Sequence, residues 1–311
     1  MSDIINWCNC FNSSCHLVKY RKFLKDGENC NRYINLCKEK NLVPIINFSK
    51  ENLPKQSSDI AICAVAANEY AQKQLEITRS TIVSYAKKCK ADYIELTGDY
   101  YPDWPMVNKY RIYQVTSKYQ KTLYLDVDII INEWSPNIFD ATPDDKISLY
   151  DEQEIAHEIN PDYLEWTLTQ RALICESLSI KDNDFYIPNG GVMVIPRALS
   201  EYYSQPKKSY HKEWCFDQNY LAILLPIEKL NKLNSFFNWS FLRRDFWNKT
   251  QECYFIHLNG SRPKDYRLNL LNRLKNSNYE FLMPPDTEDC NKEDSFRPRW
   301  FFEKKNANKS L

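Results

Sequence analysis

A chain of 311 residues with 41 basic and 41 acidic side chains has no basic excess to neutralise phosphates, which excludes a general nucleic-acid binder. Hydrophobic residues at 43% and charged residues at 26% describe a globular chain with core material for one large domain or two small ones. The longest apolar run, Ile60 to Ala67, is too short to cross a bilayer, and Met1 to Cys10 carries no basic region followed by an apolar stretch. Neither a transmembrane segment nor a secretory signal is therefore expected, and the chain reads as cytoplasmic.

In chain order, residues 1–57 read as an N-terminal Cys-rich appendage and linker. Five of the 11 cysteines fall here, Cys8, Cys10, Cys15, Cys30 and Cys37. Without a signal sequence a disulfide framework is not expected. Cys8, Cys10, Cys15 and His16 are candidates for a zinc site, but their spacing fits no standard ligand pair, and reduced thiols are the simpler reading. The stretch 49–59, rich in Ser and Lys around Pro54, reads as a linker. The main domain is expected over 58–283. It opens with a buried strand at 60–66, an amphipathic helix at 69–90, a strand at 93–96, a helix at 107–118 and a strand at 122–125. Strands at 147–150, 192–195 and 253–257 and helices at 161–178, 211–225 and 264–274 follow, and 284–311 is a polar tail. The alternation predicts an α/β fold with a mostly parallel sheet flanked by helices, whose ligand site lies at the carboxyl ends of the strands.

Asp126 and Asp128 interrupt an otherwise apolar run, Leu123 to Ile131. Burying carboxylates without partners costs several kcal/mol, of order 2–7 even for a neutral polar group, and two together repel. If the strand continues, residues i and i+2 share a face, and a hard divalent ion between them, Mg²⁺ or Mn²⁺, accounts for the pair. A strand followed by one capping and one exposed aspartate accounts for it equally well. Glycine is scarce, only 5, and three of them sit in Asn189-Gly190-Gly191 and in His257-Leu258-Asn259-Gly260. His257 ends an apolar strand and is a candidate third ligand. Gly260, Arg262 and Lys264 behind it place a flexible backbone and cations where a diphosphate would bind. Asn189 and Gly190 read either as a turn or as a close approach to ligand. Asp217 and Gln218 lie in an apolar helix after Trp214, with Asp217 an N-cap in the simpler reading.

Tyr-Leu-Asp-Val-Asp, then Asn-Gly-Gly-Val-Met-Val, Asp-Gln and His-Leu-Asn-Gly-Ser, in that order, resemble the motifs of GT-A glycosyltransferases of the glycogenin-like and lipopolysaccharide galactosyltransferase-like, retaining kind. The resemblance spans about residues 60–275. It implies a metal-dependent hexosyltransferase that moves a sugar from a nucleotide-sugar, a UDP-sugar first, to a glycan, lipid or protein acceptor. It implies Asp126, Asp128 and His257 as ligands of Mn²⁺ or Mg²⁺, with Val127 between the acids in the donor site. It implies Lys109, Gly260 and Lys264 (or Arg262) as donor contacts, and Ala66, Asn68 and Tyr70 as nucleoside contacts. Asn189 and Gly190 would sit by the donor sugar, with Asp217 and Gln218 at its reacting carbon. The loop after the first strand lacks the aspartate common in relatives. Two other readings compete with this one. A haloacid-dehalogenase-like phosphatase would carry its aspartates after the first strand, whereas two strands precede them here. A catalytically silent sugar-nucleotide-binding protein would not need both aspartates and His257.

Overall fold

The computed structural model describes residues 42–159, 163–182, 185–212, 215–243, 245–260 and 263–276. The N-terminal cysteines with His16, Pro161, Trp214, Arg262 and the polar tail lie outside the described residues. Strand β1 (Leu42–Val43) precedes β2 (Ile60–Ala66), helix α1 (Glu69–Cys89), β3 (Asp92–Thr97), β4 (Lys121–Leu125), β5 (Ile129–Ile131) and β6 (Ile147–Asp151). Helix α2 (Tyr163–Leu178), β7 (Pro188–Pro196), β8 (Tyr210–His211), α3 (Phe216–Leu224), β9 (Leu230–Lys232), β10 (Trp239–Ser240), β11 (Phe255–His257) and α4 (Lys264–Asn276) follow.

Six strands form the central sheet in the order β3-β2-β4-β7-β6-β9. All run the same way except β7, which is antiparallel to both neighbours. The fold is thus α/β with a mainly parallel sheet flanked by helices. Strand β2 reads as an unbroken apolar run because both of its faces are covered. Ala61, Cys63 and Val65 join Tyr124 and Met193 in one core cluster, while Ile62, Ala64 and Ala66 join Leu123, Leu125 and Val192 in the other. Helix α1 lies on the second face through Leu75, Ile82, Tyr85 and Ala86. It starts where Asn68 Oδ1 accepts the Ala71 N–H (2.9 Å) and ends at Lys90 in the left-handed region (φ 55°).

A second, three-stranded sheet has the order β10-β11-β5, with β11 antiparallel to β5. Strands β4 and β5 belong to different sheets and are joined only by Asp126-Val127-Asp128. The continuous strand that would set both aspartates on one face is therefore replaced by a seam between two sheets.

Several boundaries differ from those read in the sequence, each for a local reason. The helix expected at 107–118 is a 3₁₀ segment, Pro105–Ile112, followed by one α turn, Tyr113–Thr116. There Asn108 Nδ2 donates to the Pro105 carbonyl and to Asp99 Oδ1, bonds that compete with a regular ladder. The helix expected from 211 begins at Phe216, after β8 and a left-handed Cys215 (φ 57°). Asp217 therefore lies in its first turn rather than at the N-cap. Asn189-Gly190-Gly191 is strand rather than turn.

The stretch read as a linker is docked. Strand β1 pairs with β8, Val43 enters the core, and Ile46 exchanges hydrogen bonds with the Gln205 side chain (3.2 and 2.6 Å). Glu51 accepts from Arg111 Nε at 2.6 Å, and the same buried guanidinium donates to the carbonyls of Thr97 and Gly98 at 2.7 Å each. Serine and lysine flank this contact, so local composition suggests solvent where one long-range ion pair decides otherwise. Removing one partner of such a pair strands the other, so Glu51→Ala is expected to lower the unfolding free energy by about 3 kcal/mol in urea titrations.

Candidate metal and donor site

The seam is fixed from both sides by ladder register. Leu125 pairs with Val192, so the next rung is Asp126 N–H to the Gly191 carbonyl, 2.8 Å. On the other side His257 pairs with Ile129, and the Leu258 N–H donates to the Asp128 carbonyl, 3.0 Å. Thr78 of α1 donates its hydroxyl to the Val127 carbonyl, 2.9 Å. The two aspartates and His257, far apart in sequence, consequently converge. His257 Nε2 lies 3.4 Å from Asp128 Oδ1 and 3.8 Å from Asp126 Oδ2. One ligand atom from each of the three residues falls within 4.8 Å of the others, an arrangement that suits a divalent ion.

His257 is 2% exposed. Its Nδ1 is 2.8 Å from Asn238 Oδ1, while its Nε2 has no hydrogen-bond partner among the described residues. A buried ring nitrogen without a partner, facing two carboxylates, fits a cation ligand. The glycine pair allows this ring its place. A Cβ on Gly191 would fall 2.2 Å from His257 Cε1, whereas one on Gly190 would meet Asp217 and Gln218 atoms only at 3.4 Å. The close approach expected of these glycines is, at Gly191, to the chain's own imidazole.

Positive charge surrounds the acids. Lys109 Nζ lies 2.9 Å from Asp126 Oδ1 and 3.6 Å from Asp217 Oδ2. Burial works against its charge, but the fields of Asp126 and Asp217 outweigh it and raise the ammonium pKa. Tyr124, the penultimate residue of β4, donates to Asp126 Oδ1. Burial likewise works against an ionised Asp128. The charges of His257, when protonated, and of Arg267 prevail and hold its carboxyl well below the usual range. Arg267 bonds Asp128 Oδ2 directly and donates to the Leu258 carbonyl at 2.8 Å.

Asp217 is buried; Oδ2 accepts from Tyr203 at 3.0 Å, and Oδ1 has no hydrogen-bond partner among the described residues. Gln218 Oε1 accepts the Gly190 N–H at 3.1 Å, which ties the start of α3 to β7. Asn189 is buried, with its carbonyl and amide ends both bonded to protein groups. Ala66 ends β2 beside the seam, and Asn68 spends its side chain on the α1 cap. The Tyr70 ring lies 5.1 Å from Lys264 Nζ and 6.0 Å from the Arg267 guanidinium carbon. Gly260 holds a φ of +104°, which glycine adopts without strain, and turns the chain toward α4. Sequence reasoning missed Arg267, Asn238 and Glu152. Arg267 carries a weak signal, being three residues past Lys264 on the same helix face; the other two carry none.

No protein-family model matches the chain, and no curated protein is significantly similar to it. Among solved structures it is similar to "a glycosyltransferase involved in the glycosylation of the major capsid of PBCV-1", with 13% identity and TM-score 0.47 over 68% of this chain and 98% of that one. It is similar to the WbbM bifunctional glycosyltransferase, with 12% identity and TM-score 0.48 over 73% of this chain and 51% of that one. Galactosyltransferase LgtC, in complex with donor and acceptor sugar analogs, gives 14% identity and TM-score 0.43 over 69% and 95%.

Two outcomes follow from the packing and the charges. Gly191→Ala drives a methyl into the His257 ring and is expected to cost about 1–3 kcal/mol in urea unfolding, with Gly190→Ala costing less. Because the folded Asp128 pKa is depressed, its contribution to stability is present above the unfolded value of about 3.9 and is lost as pH falls through the lower folded value. Unfolding free energy should therefore drop below that pH, and Asp128→Asn should show a shallower acid slope in the same titration.

Proposed function

We propose that this chain is a GT-A type glycosyltransferase, a metal-dependent hexosyltransferase that takes a sugar from a nucleotide-sugar, a UDP-sugar first, and passes it with retention to a hydroxyl of a glycan, lipid or protein. The observation that carries the reading is the convergence at the carboxyl end of β4 of Asp126, Asp128 and His257 Nε2, a nitrogen with no hydrogen bond among the described residues. Cofactor-binding α/β sheets place their ligands at that edge. Hard carboxylate oxygens with one imidazole fit Mn²⁺ or Mg²⁺, and the bound ion would neutralise charge on the diphosphate as it departs.

The chain's own residues supply the remaining roles. Lys109 holds Asp126 and Asp217 in place and adds positive charge beside the leaving group. Gly260, Lys264 and Arg267, on the turn and helix after His257, receive the diphosphate, with Arg262 also available. Ala66 at the end of β2, Asn68 at the cap of α1 and Tyr70 in its first turn face the nucleoside, and Val127 lies between the ligands. Asn189 and Gly190 border the sugar. Asp217 and Gln218 lie by the reacting carbon, where Asp217 Oδ1, without a hydrogen bond among the described residues, favours the positive charge that builds as the bond to phosphate breaks. No helix among the described residues is long and apolar enough to cross a membrane.

Melting temperature measured against UDP-, GDP- and CMP-sugars, with and without Mn²⁺, tests the reading. A UDP-sugar with Mn²⁺ should raise it, and neither alone should match the pair. Asp128→Ala should remain folded and lose the metal-dependent part of the shift. Full Mn²⁺-dependent donor affinity in a folded Asp128→Ala protein would refute the assignment.

A further inference from the structure

Behind His257 runs a chain of buried polar groups of which only Asn189 has been given a part in the site. His257 Nδ1 contacts Asn238 Oδ1 at 2.8 Å, Asn238 Nδ2 donates to Asn189 Oδ1 at 2.9 Å, and Asn189 Nδ2 donates to Glu152 Oε1 at 2.6 Å. Tyr163 donates to Glu152 Oε2 at 3.0 Å. Asn238 and Asn189 are buried, as is Glu152.

The direction of every bond follows from one group that cannot be turned round. The Gly191 N–H points at Asn189 at 2.9 Å, and a backbone N–H only donates, so the Asn189 atom facing it must be the carbonyl oxygen. That same oxygen faces Asn238, which must therefore present its amide nitrogen. Asn238 then has only its oxygen for His257, so Nδ1 must carry the ring proton. The other nitrogen, Nε2, is left with a bare lone pair aimed at Asp126 and Asp128. Glu152 closes the far end by accepting the Asn189 amide.

We infer that Asn238 and Asn189, anchored by the Gly191 N–H and by Glu152, are positioning residues that commit His257 to the tautomer able to ligate a cation through Nε2. Partners behind a metal-bound histidine ordinarily fix ring and tautomer in this way. Here the control reaches through two amides to a carboxylate on the far side of β7. The same glycine that leaves room for the ring also sets its proton. The statement about metal affinity rests on the cation site proposed above; the statement about the tautomer does not.

The experiment uses full-length protein with ¹⁵N-labelled histidine, His257 being assigned by its absence in His257→Gln. At alkaline pH, metal-free, Nε2 should show the shift of an unprotonated ring nitrogen and Nδ1 that of a protonated one. The reverse pattern in the wild-type protein overturns the inference without any variant having to fold. Mn²⁺ affinity, read from free Mn²⁺ by electron paramagnetic resonance, gives the second measurement. Asn238→Leu should weaken it about 10–100-fold, and Glu152→Gln, which keeps an acceptor for Asn189, should leave both affinity and shifts near wild type. Wild-type Mn²⁺ affinity in folded Asn238→Leu, or a loss of the shift pattern in folded Glu152→Gln, overturns it. If the wild-type protein binds no Mn²⁺, the proposed metal site fails and the shift pattern alone decides the relay.

Discussion

Hydrogen-bond ladders close on Asp126-Val127-Asp128 from both sides, and the positions of the site groups depend on that double clamp. Strand β4 is held by β7 up to Asp126, and β5 is held by β11 from the Asp128 carbonyl onward. Thr78 fixes the peptide between them. With the backbone held at each of the three residues, the two carboxylates have only their side-chain torsions left to move. The sheet-to-sheet transfer that would otherwise be a loose crossover thereby becomes a rigid mount, which is what a short metal–oxygen bond length requires of its ligands.

Burying that much acidity demands compensation, and the molecule provides it in two directions. Lys109 sits between Asp126 and Asp217, on the β2 side of the seam, and Arg267 reaches Asp128 from α4. Each cation is supplied by an element that also helps build the core: Lys109 lies between the core residues Asn108 and Tyr110, and α4 buries Leu270, Leu271 and Leu274 against Ile256 and Trp239. Charge balance and packing are therefore coupled. Shifting α4 on the second sheet would unpair Asp128, and loosening the 3₁₀ segment would unpair two carboxylates together.

Much of this was legible in the residues. Two aspartates in an apolar run, a histidine ending another apolar strand, and paired glycines in a glycine-poor chain all mark places where ordinary burial rules are broken, and broken rules are what a sequence displays locally. The first strands and helix of the main sheet were equally plain, from continuous apolar runs such as Ile60–Ala66 and an amphipathic stretch such as Glu69–Cys89, whereas the short strands β5, β8, β9 and β10 were not. What could not be read depends on partners distant in sequence. Asn238 and Glu152 look like unremarkable polar residues until register brings them to either side of Asn189. Glu51 looks like part of a solvated linker until Arg111 folds beneath it. The glycine pair reads equally as a turn or as a close approach to ligand; it lies in strand, and the neighbour that Gly191 admits is an imidazole of the same chain.

The pairing of β5 has a consequence for how the chain is made. Ile129–Ile131 is wholly buried, and in the three-stranded sheet its one partner is β11, at residues 255–257. The strands of the larger sheet are all present by residue 232. A growing chain can thus complete that sheet, and pack Ile129 and Ile131 beneath α1, while the backbone edge of β5 is still unpaired, the kind of edge that recruits strands from other molecules. Between the completion of β9 and that of β11 this edge waits for its partner, and a chaperone that shields the segment would act in that interval.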